Sequence, residues 1–176
     1  MKEMVFLIGF RGTGKTTVGK LLARKLGYAF VDTDQRICQR KGASVKTIVD
    51  REGWEGFRRC EAEVLTECGD ALRTVVATGG GAVLHRQFWQ EIGNNATIIW
   101  LTAGSDVLLR RICRDSSTMD NRPSLTGKEV SQEILEVLHE REPMYREFAH
   151  FTVDTGRMKV MEAVDSIHKN LTKTEE

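Results

Sequence analysis

Residues 7–17, LIGFRGTGKTT, combine residue types and a spacing that suit the binding of phosphate groups. Gly9, Gly14, Lys15 and Thr16 satisfy the pattern G-x-x-x-x-G-K-[ST]. The glycines let successive backbone N–H groups point into one concavity, and the helix that follows adds its own N–H groups and its dipole. Lys15 supplies a charge for the β- and γ-phosphates, and the Thr16 hydroxyl can ligate Mg²⁺. The stretch predicts a nucleotide phosphate site; the alternative is an ordinary glycine-rich turn with Thr16 as the helix N-cap.

Carboxylates and glycines follow two further apolar runs, where ligand sites of parallel sheets lie. The run AFVDTD ends in Asp32 and Asp34, and TVVATGGG ends in Thr78 and Gly79–Gly81. In VVAT and IIWL no aspartate closes the run, so Asp32 is the best candidate for the metal shell, through water, and Asp34 for the acceptor substrate. The alternative is that Asp34 only caps a helix beginning at Gln35.

Two arginines lie on predicted helices with features that suit anion binding. In GFRRCE, Arg58 and Glu61 are three residues apart and share a helix face, so the carboxylate can hold the guanidinium in place. In HEREPMYRE, Arg141 precedes Pro143, which kinks a helix. For either arginine, a place on a solvated helix face is the alternative.

The order of apolar segments predicts an α/β fold. Strand-like runs at 4–9, 29–34, 74–81, 96–102 and 150–155 alternate with helix-period segments, the first of which ends at Gly27. Such alternation predicts a three-layer structure, with a parallel sheet covered by helices on both faces.

The bulk composition excludes several classes of protein. A chain of 176 residues with net charge +1 predicts a single domain and gives no general reason to expect nucleic acid or a membrane as a partner. Its four cysteines have no C-x-x-C spacing and its four histidines are scattered, so no metal cluster is predicted. The N-terminal apolar run is too short for a signal peptide, and we expect a cytoplasmic protein that acts as a monomer.

Taken together, five segments of the chain resemble the shikimate kinases. They are GFRGTGKTTVGKLLARKLGYAFVDTD, GWEGFRRCEAEVL, VVATGGGAV, NRPSL and EREPMYREFA. The resemblance implies a nucleoside monophosphate kinase-like P-loop fold with a five-stranded parallel sheet and transfer of phosphate from ATP, with Mg²⁺, to the 3-hydroxyl of shikimate. It implies one kinase domain over 1–172, with a substrate-binding helical region at 33–61, a mobile lid at 114–127, and a tail at 173–176.

The resemblance also assigns roles to individual residues. Those implied to bind ATP are Gly12, Thr13, Gly14, Lys15, Thr16, Thr17, Arg110, Arg122 and Arg157. Those implied to bind shikimate are Asp34, Arg58, Gly79, Gly80, Gly81 and Arg141, while Thr16 and Asp32 would serve Mg²⁺. Lys15, Asp34 and Arg122 are the expected catalytic residues. The run LLRRIC offers either Arg110 or Arg111 near the adenine, and we expect Lys15 to face an empty anion cradle until phosphates arrive.

Two positions depart from the family pattern, and two other functions compete. Val49 stands where an aromatic residue often lines the shikimate pocket, and Trp54 stands where an acidic residue is common. A related small-molecule kinase such as gluconate kinase would share the phosphate loop and the lid. A regulator that kept the fold and lost catalysis should lack Lys15, Asp34 or Arg122, and all three are present.

Overall fold

The computed structural model describes residues 4–114, 124, 125, 127 and 129–173. Its centre is a five-stranded sheet in which every neighbouring pair is parallel, in the order β2-β3-β1-β4-β5. The strands are β1 (Met4–Ile8), β2 (Ala29–Asp32), β3 (Thr74–Ala77), β4 (Thr97–Thr102) and β5 (Phe151–Asp154). The predicted parallel α/β fold is confirmed, and each strand lies within a predicted apolar run.

Helices connect the strands, as the alternating pattern predicts. Within the described ranges they are α1 (Lys15–Leu26), α2 (Thr33–Lys41), α3 (Val45–Gly69), α4 (Arg86–Ile92), α5 (Ser105–Arg114), α6 (Val130–Phe148) and α7 (Val160–Lys173), with a short 3₁₀ helix at Ala82–Leu84. Helix α1 ends before Gly27, which adopts a left-handed conformation with φ of 67°. Gly53, with φ of 70° and ψ of 174°, interrupts α3 with a kink.

The central strand shows why both faces of the sheet must be covered. All five residues of β1 are buried, and because side chains alternate along a strand they enter two different cores. Phe6 packs edge-on against Trp89 of α4, with ring centroids 5.4 Å apart. Leu7 joins the opposite core with Leu22 of α1 and Val164 of α7. Burial on both faces explains the continuous apolar run.

The domain limits predicted from the sequence are only partly described. Helix α7 continues to Lys173, one residue beyond the predicted domain end. Most of the predicted lid, residues 114–127, and with it Arg122, lies outside the described residues. Across the described ranges, no helix is long and apolar enough to cross a membrane.

Gly9 is the point at which the first strand turns into the phosphate loop. Its φ is 137°, and a Cβ built there would lie 2.2 Å from the carbonyl oxygen of Leu101 in β4. The chain therefore leaves β1 with its backbone pressed against the neighbouring strand, an approach that only glycine permits.

We expect Gly9→Ala to lower the free energy of unfolding by about 3 kcal/mol or more. An alanine there would be strained by the positive φ, and its Cβ would clash with the Leu101 carbonyl oxygen. Gly42→Ala is the matched control, because Gly42 also has positive φ, 60°, but nothing lies within 4 Å of its built Cβ. The control should cost about 1 kcal/mol. Urea unfolding of both variants measures the difference, and equal costs would contradict the importance of the Leu101 contact.

Candidate active site

The phosphate loop lies where the sequence predicts it, between β1 and α1. Gly14, which has no side chain, occupies the N-cap of α1 with φ of 88°. The first N–H groups of α1 are therefore not capped by the side chain of that residue, as an anion site at a helix N-terminus requires. Thr16 lies inside the helix, so the alternative in which it serves as the N-cap is wrong.

Lys15 does not face an empty cradle, contrary to the expectation from the sequence. Its ammonium is buried and donates hydrogen bonds to the carbonyl oxygens of Gly9, at 2.6 Å, and Phe10, at 2.8 Å. A buried charge needs partners, and the loop carbonyls are the nearest acceptors. The Lys15 side chain thus closes the phosphate loop on itself.

Asp32 joins the phosphate loop to the second strand. Its Oδ2 accepts a hydrogen bond from Thr16 Oγ1 at 2.7 Å, and its Oδ1 accepts one from the backbone N–H of Gln35 at 3.1 Å. Asp32 is consequently the N-cap of α2, and the alternative that gave this role to Asp34 is wrong. The hydroxyl and carboxylate oxygens of Thr16 and Asp32 form a pair of the ligand type that Mg²⁺ prefers.

A pocket next to the phosphate loop brings the predicted acceptor residues together. It has a volume of about 470 Å³, including its open mouth. Its walls come from the phosphate loop, α2, α3, the glycine triplet and α6. The lining residues are Phe10, Arg11, Asp34, Val45, Trp54, Phe57, Arg58, Glu61, Gly79, Gly80, Gly81, Leu125 and Arg141.

Arg58 is held at the pocket wall by a buried carboxylate. Its Nη1 donates a hydrogen bond to Oε2 of Glu61, whose side chain is 0% exposed, so the predicted pairing is present. The ring of His85 lies 3.0 Å from the same Oε2, and the guanidinium also lies 5.4 Å from the centre of the Trp54 ring. A Cβ on Gly81 would come within 2.1 Å of the guanidinium. Arg58 is therefore fixed from three sides.

The glycine triplet also meets the predicted acceptor carboxylate. A Cβ on Gly79 would lie 2.6 Å from both Asp34 Oδ1 and Glu61 Oε1, so a larger residue would push into the two carboxylates. The backbone N–H of Gly79 donates to Thr33 Oγ1 at 3.0 Å, which ties the triplet to the start of α2. Asp34 thus reaches the pocket because β2 and β3 end side by side.

Arg141, which lines the pocket, lies one turn from Tyr145 on α6. Arg141 is buried, and Tyr145 OH donates to the carbonyl oxygen of Gly80 at 2.5 Å. Burial raises the pKa of Tyr145 well above its ordinary value, so the hydroxyl remains a donor. This bond anchors α6 to the glycine triplet and places Arg141 beside the pocket.

The arginines predicted near the nucleotide have different surroundings. Arg111 donates from Nη1 to the Gly12 carbonyl at 3.0 Å and from Nη2 to the Thr155 carbonyl at 2.8 Å. It lines a second hollow beside the phosphate loop together with Gly12, Thr13, Gly14 and Thr17. Arg110 is exposed and pairs with Asp106, and Arg157 is exposed and pairs with Asp154.

Sequence reasoning missed several residues of this site. Arg11, Val45, Phe57 and Leu125 line the pocket, and His85 supports Glu61 from 24 residues away in the chain. No local spacing marks these residues; only the meeting of distant segments does. Val49 packs against the hydrophobic core, whereas Trp54 is part of the pocket wall.

Comparisons with known proteins identify the family of this chain. A curated shikimate kinase 2 from Yersinia enterocolitica is 47% identical over 154 residues, which cover 88% of this chain and 87% of the relative. The structure of Acinetobacter baumannii shikimate kinase in complex with shikimate superposes with a TM-score of 0.90 at 33% identity, over 98% of this chain and 94% of that chain. A gluconokinase from Sinorhizobium meliloti reaches a TM-score of 0.58 at 18% identity over 99% and 98% of the two chains, which is a likeness of fold alone. The family model for shikimate kinase matches residues 11–172, and the chain belongs to the shikimate kinase family.

Proposed function

We propose that this chain transfers the γ-phosphoryl group of ATP to the 3-hydroxyl of shikimate and so forms shikimate 3-phosphate and ADP. The observation that carries the proposal is a single pocket beside the phosphate loop that is lined by Asp34, Arg58 and Arg141. One carboxylate suits a hydroxyl group, and two guanidinium groups suit a carboxylate. Shikimate carries both kinds of group.

The phosphate loop supplies the nucleotide side of the proposed reaction. Its backbone from Gly12 to Thr17 surrounds the N-terminus of α1, where phosphates are favoured. Arg111 suits the nucleotide better than Arg110, because it already contacts the loop and lines the adjoining hollow. Roles for Arg157 and Arg122 in nucleotide binding remain proposals from the family resemblance.

Thr16 and Asp32 would hold Mg²⁺ with the nucleotide phosphates. A hydroxyl oxygen and a carboxylate oxygen 2.7 Å apart beside an anion site fit a cation that is usually bound by one or two carboxylates, water and substrate phosphates. When bound, the ion would neutralise charge on the phosphates. Asp32 also caps α2, so α2 fixes the position of its carboxylate.

Asp34 would orient the acceptor hydroxyl and accept its proton. Phosphoryl transfer depends mainly on positioning and on charge neutralisation, so orientation is the larger part of this role. Among the described residues, the buried Arg141 Nε and Glu61 Oε1 have no hydrogen-bond partner. A ligand with an anionic group and hydroxyl groups could accept a hydrogen bond from the arginine and donate one to the carboxylate.

The substrate class can be tested by measuring ADP release with shikimate, quinate and gluconate in parallel. We expect turnover with shikimate and at least tenfold lower kcat/KM with the other two, because gluconate lacks the ring, and quinate has a saturated, hydroxyl-bearing carbon where the carboxylate of shikimate is attached to a planar alkene carbon. Gluconate as the preferred acceptor would contradict the proposal. Nucleotide binding without turnover of any acceptor would favour a regulator instead.

Asp34→Asn should lower kcat by at least about a hundredfold with little change in ATP KM, because the neutral amide orients the acceptor hydroxyl less well and cannot accept its proton. The control is Asp50→Asn, since Asp50 is exposed and pairs with nearby Lys46 on the same helix. Steady-state kinetics with both substrates measures the effect. A rise in ATP KM at unchanged kcat would place Asp34 on the nucleotide side.

Arg58→Ala and Arg141→Ala should each raise the shikimate KM by about tenfold to a hundredfold, since each removes a charge-assisted hydrogen bond to the ligand carboxylate. The shikimate analogue in which the carboxylate is reduced to an alcohol should bind the parent enzyme poorly. Its affinity should fall little further in the two variants, because it has no carboxylate for the arginines to contact.

The chain offers a matched control for each arginine. Arg59→Ala and Arg146→Ala remove exposed arginines that pair with Glu55 and Glu142 on the same helices, and they should leave shikimate KM unchanged. If the parent used the neutral alcohol as well as shikimate, the proposed carboxylate contacts would be refuted.

A further inference from the structure

Glu133 is a buried carboxylate to which the proposed reaction assigns no role. It lies in the first turn of α6, and its side chain is only 1% exposed. Its Oε1 accepts from Arg11 Nη2 at 2.6 Å, while its Oε2 accepts from the Ser124 hydroxyl and from the Leu125 backbone N–H at 2.8 Å. A charge this deeply buried is costly unless such donors compensate it.

Of the donors to Glu133 named above, those of Arg11 and Leu125 belong to residues that line the acceptor pocket. Arg11 and Leu125 are part of the pocket wall, and Glu133 is not. Glu133 therefore lies behind the wall and holds two parts of it that are 114 positions apart in the chain. A guanidinium has five N–H donors, so one such group can contact a supporting carboxylate and a ligand at the same time.

Arg11 lies at the boundary between the phosphate loop and the acceptor pocket. It occupies one of the variable positions of the loop, and its backbone N lies 3.3 Å from a Cβ built on Gly80. Its side chain is 12% exposed, and the guanidinium lies 5.9 Å from the centre of the Phe10 ring. The cation is thus held on the phosphate-loop side of the acceptor pocket.

The three arginines that line the pocket have different partners. Arg11, Arg58 and Arg141 all belong to the pocket wall, and Arg11 pairs with Glu133 behind it. Glu61 already pairs with Arg58. Since Arg58 and Arg141 suit the acceptor carboxylate, Arg11 is the cation on the phosphate-loop side of the pocket.

We propose that Arg11 binds the phosphoryl group as it is transferred and after it reaches the acceptor, and that Glu133 is the positioning residue that orients Arg11. The proposal rests on the proposed transfer to shikimate. In that step a bond forms between the acceptor oxygen and the γ-phosphorus, the bond from phosphorus to the β,γ-bridging oxygen breaks with its electrons leaving on ADP, and the hydroxyl proton passes to Asp34. The product then carries a phosphate beside Arg11.

Calorimetric affinities for shikimate and for shikimate 3-phosphate test the proposal in the full-length chain. Arg11→Met should weaken binding of the phosphate ester by about tenfold to a hundredfold while shikimate affinity changes little, because only the ester has the group that Arg11 contacts. Glu133→Gln should weaken binding of the phosphate ester by a few-fold, because Arg11 is still present but its guanidinium is held less firmly. The kcat should fall more than the shikimate KM rises.

A double variant separates binding from folding. Arg11→Met alone leaves the Glu133 charge buried without its cation, so its thermal stability should fall. Arg11→Met with Glu133→Gln should recover stability without recovering affinity for the ester. Arg40→Met, which removes the surface ion pair with Glu67, should change neither.

Each result bears on the proposal. Equal weakening of shikimate and its 3-phosphate would show that Arg11 contacts the part they share, and unchanged affinity for both would show a purely structural pair; either result overturns the proposal. Recovery of ester affinity in the double variant would do so too. Turnover of shikimate by the parent enzyme tests the proposed function by itself, so an inactive parent would overturn both proposals. If the parent is active but Arg11→Met leaves the ratio of the two affinities unchanged, only the role of Arg11 is overturned.

Discussion

The parallel register between β1 and β3 is the constraint on which the site depends. Leu7 pairs with Ala77, and the next residue, Thr78, donates from both its backbone N–H and its hydroxyl to the Leu7 carbonyl, at 3.1 and 3.0 Å. The phosphate loop and the glycine triplet therefore leave the sheet at the same height. A shift of one residue would reverse the faces of every side chain in β1 and expose Phe6 or Leu7. Burial of both cores thus determines where the two substrates meet.

The acceptor pocket keeps charged groups buried by arranging them in mutually supporting pairs. Glu61 is shared by Arg58 and His85, and Glu133 by Arg11 and the segment at Ser124 and Leu125. In each case the carboxylate is almost fully buried and the arginine is partly exposed at the pocket. A guanidinium held in this way does not have to be ordered when the ligand arrives, so less of the binding energy is lost. The pairs therefore serve preorganisation more directly than stability.

Sequence reasoning predicted those parts of the molecule that short-range patterns determine. The phosphate loop, the strands, Asp34 after β2 and the pairing of Arg58 with Glu61 all follow from spacing within about ten residues, because local periodicity determines which side chains share a face. Arg11 and Glu133 are 122 positions apart, and neither residue type marks the other in the sequence. The choice of Arg111 over Arg110 required the rotation of α5, which is set by Leu108 and Ile112 packing on Phe10. The partners of Lys15 are backbone carbonyl groups, which no residue type marks in the sequence.

The contacts of Lys15 change how nucleotide affinity should be understood. Because its ammonium has two carbonyl partners within the loop, incoming phosphate competes with the protein's own backbone for the same cation. The measured affinity is then a difference between two well-bonded states of one side chain, and it is smaller than the strength of the lysine–phosphate contact. The same competition favours release of ADP, because the loop carbonyls can accept hydrogen bonds from Lys15 again when ADP leaves. A phosphate loop whose own carbonyl groups can replace phosphate as partners of the lysine is thus suited to rapid nucleotide turnover rather than to tight nucleotide binding.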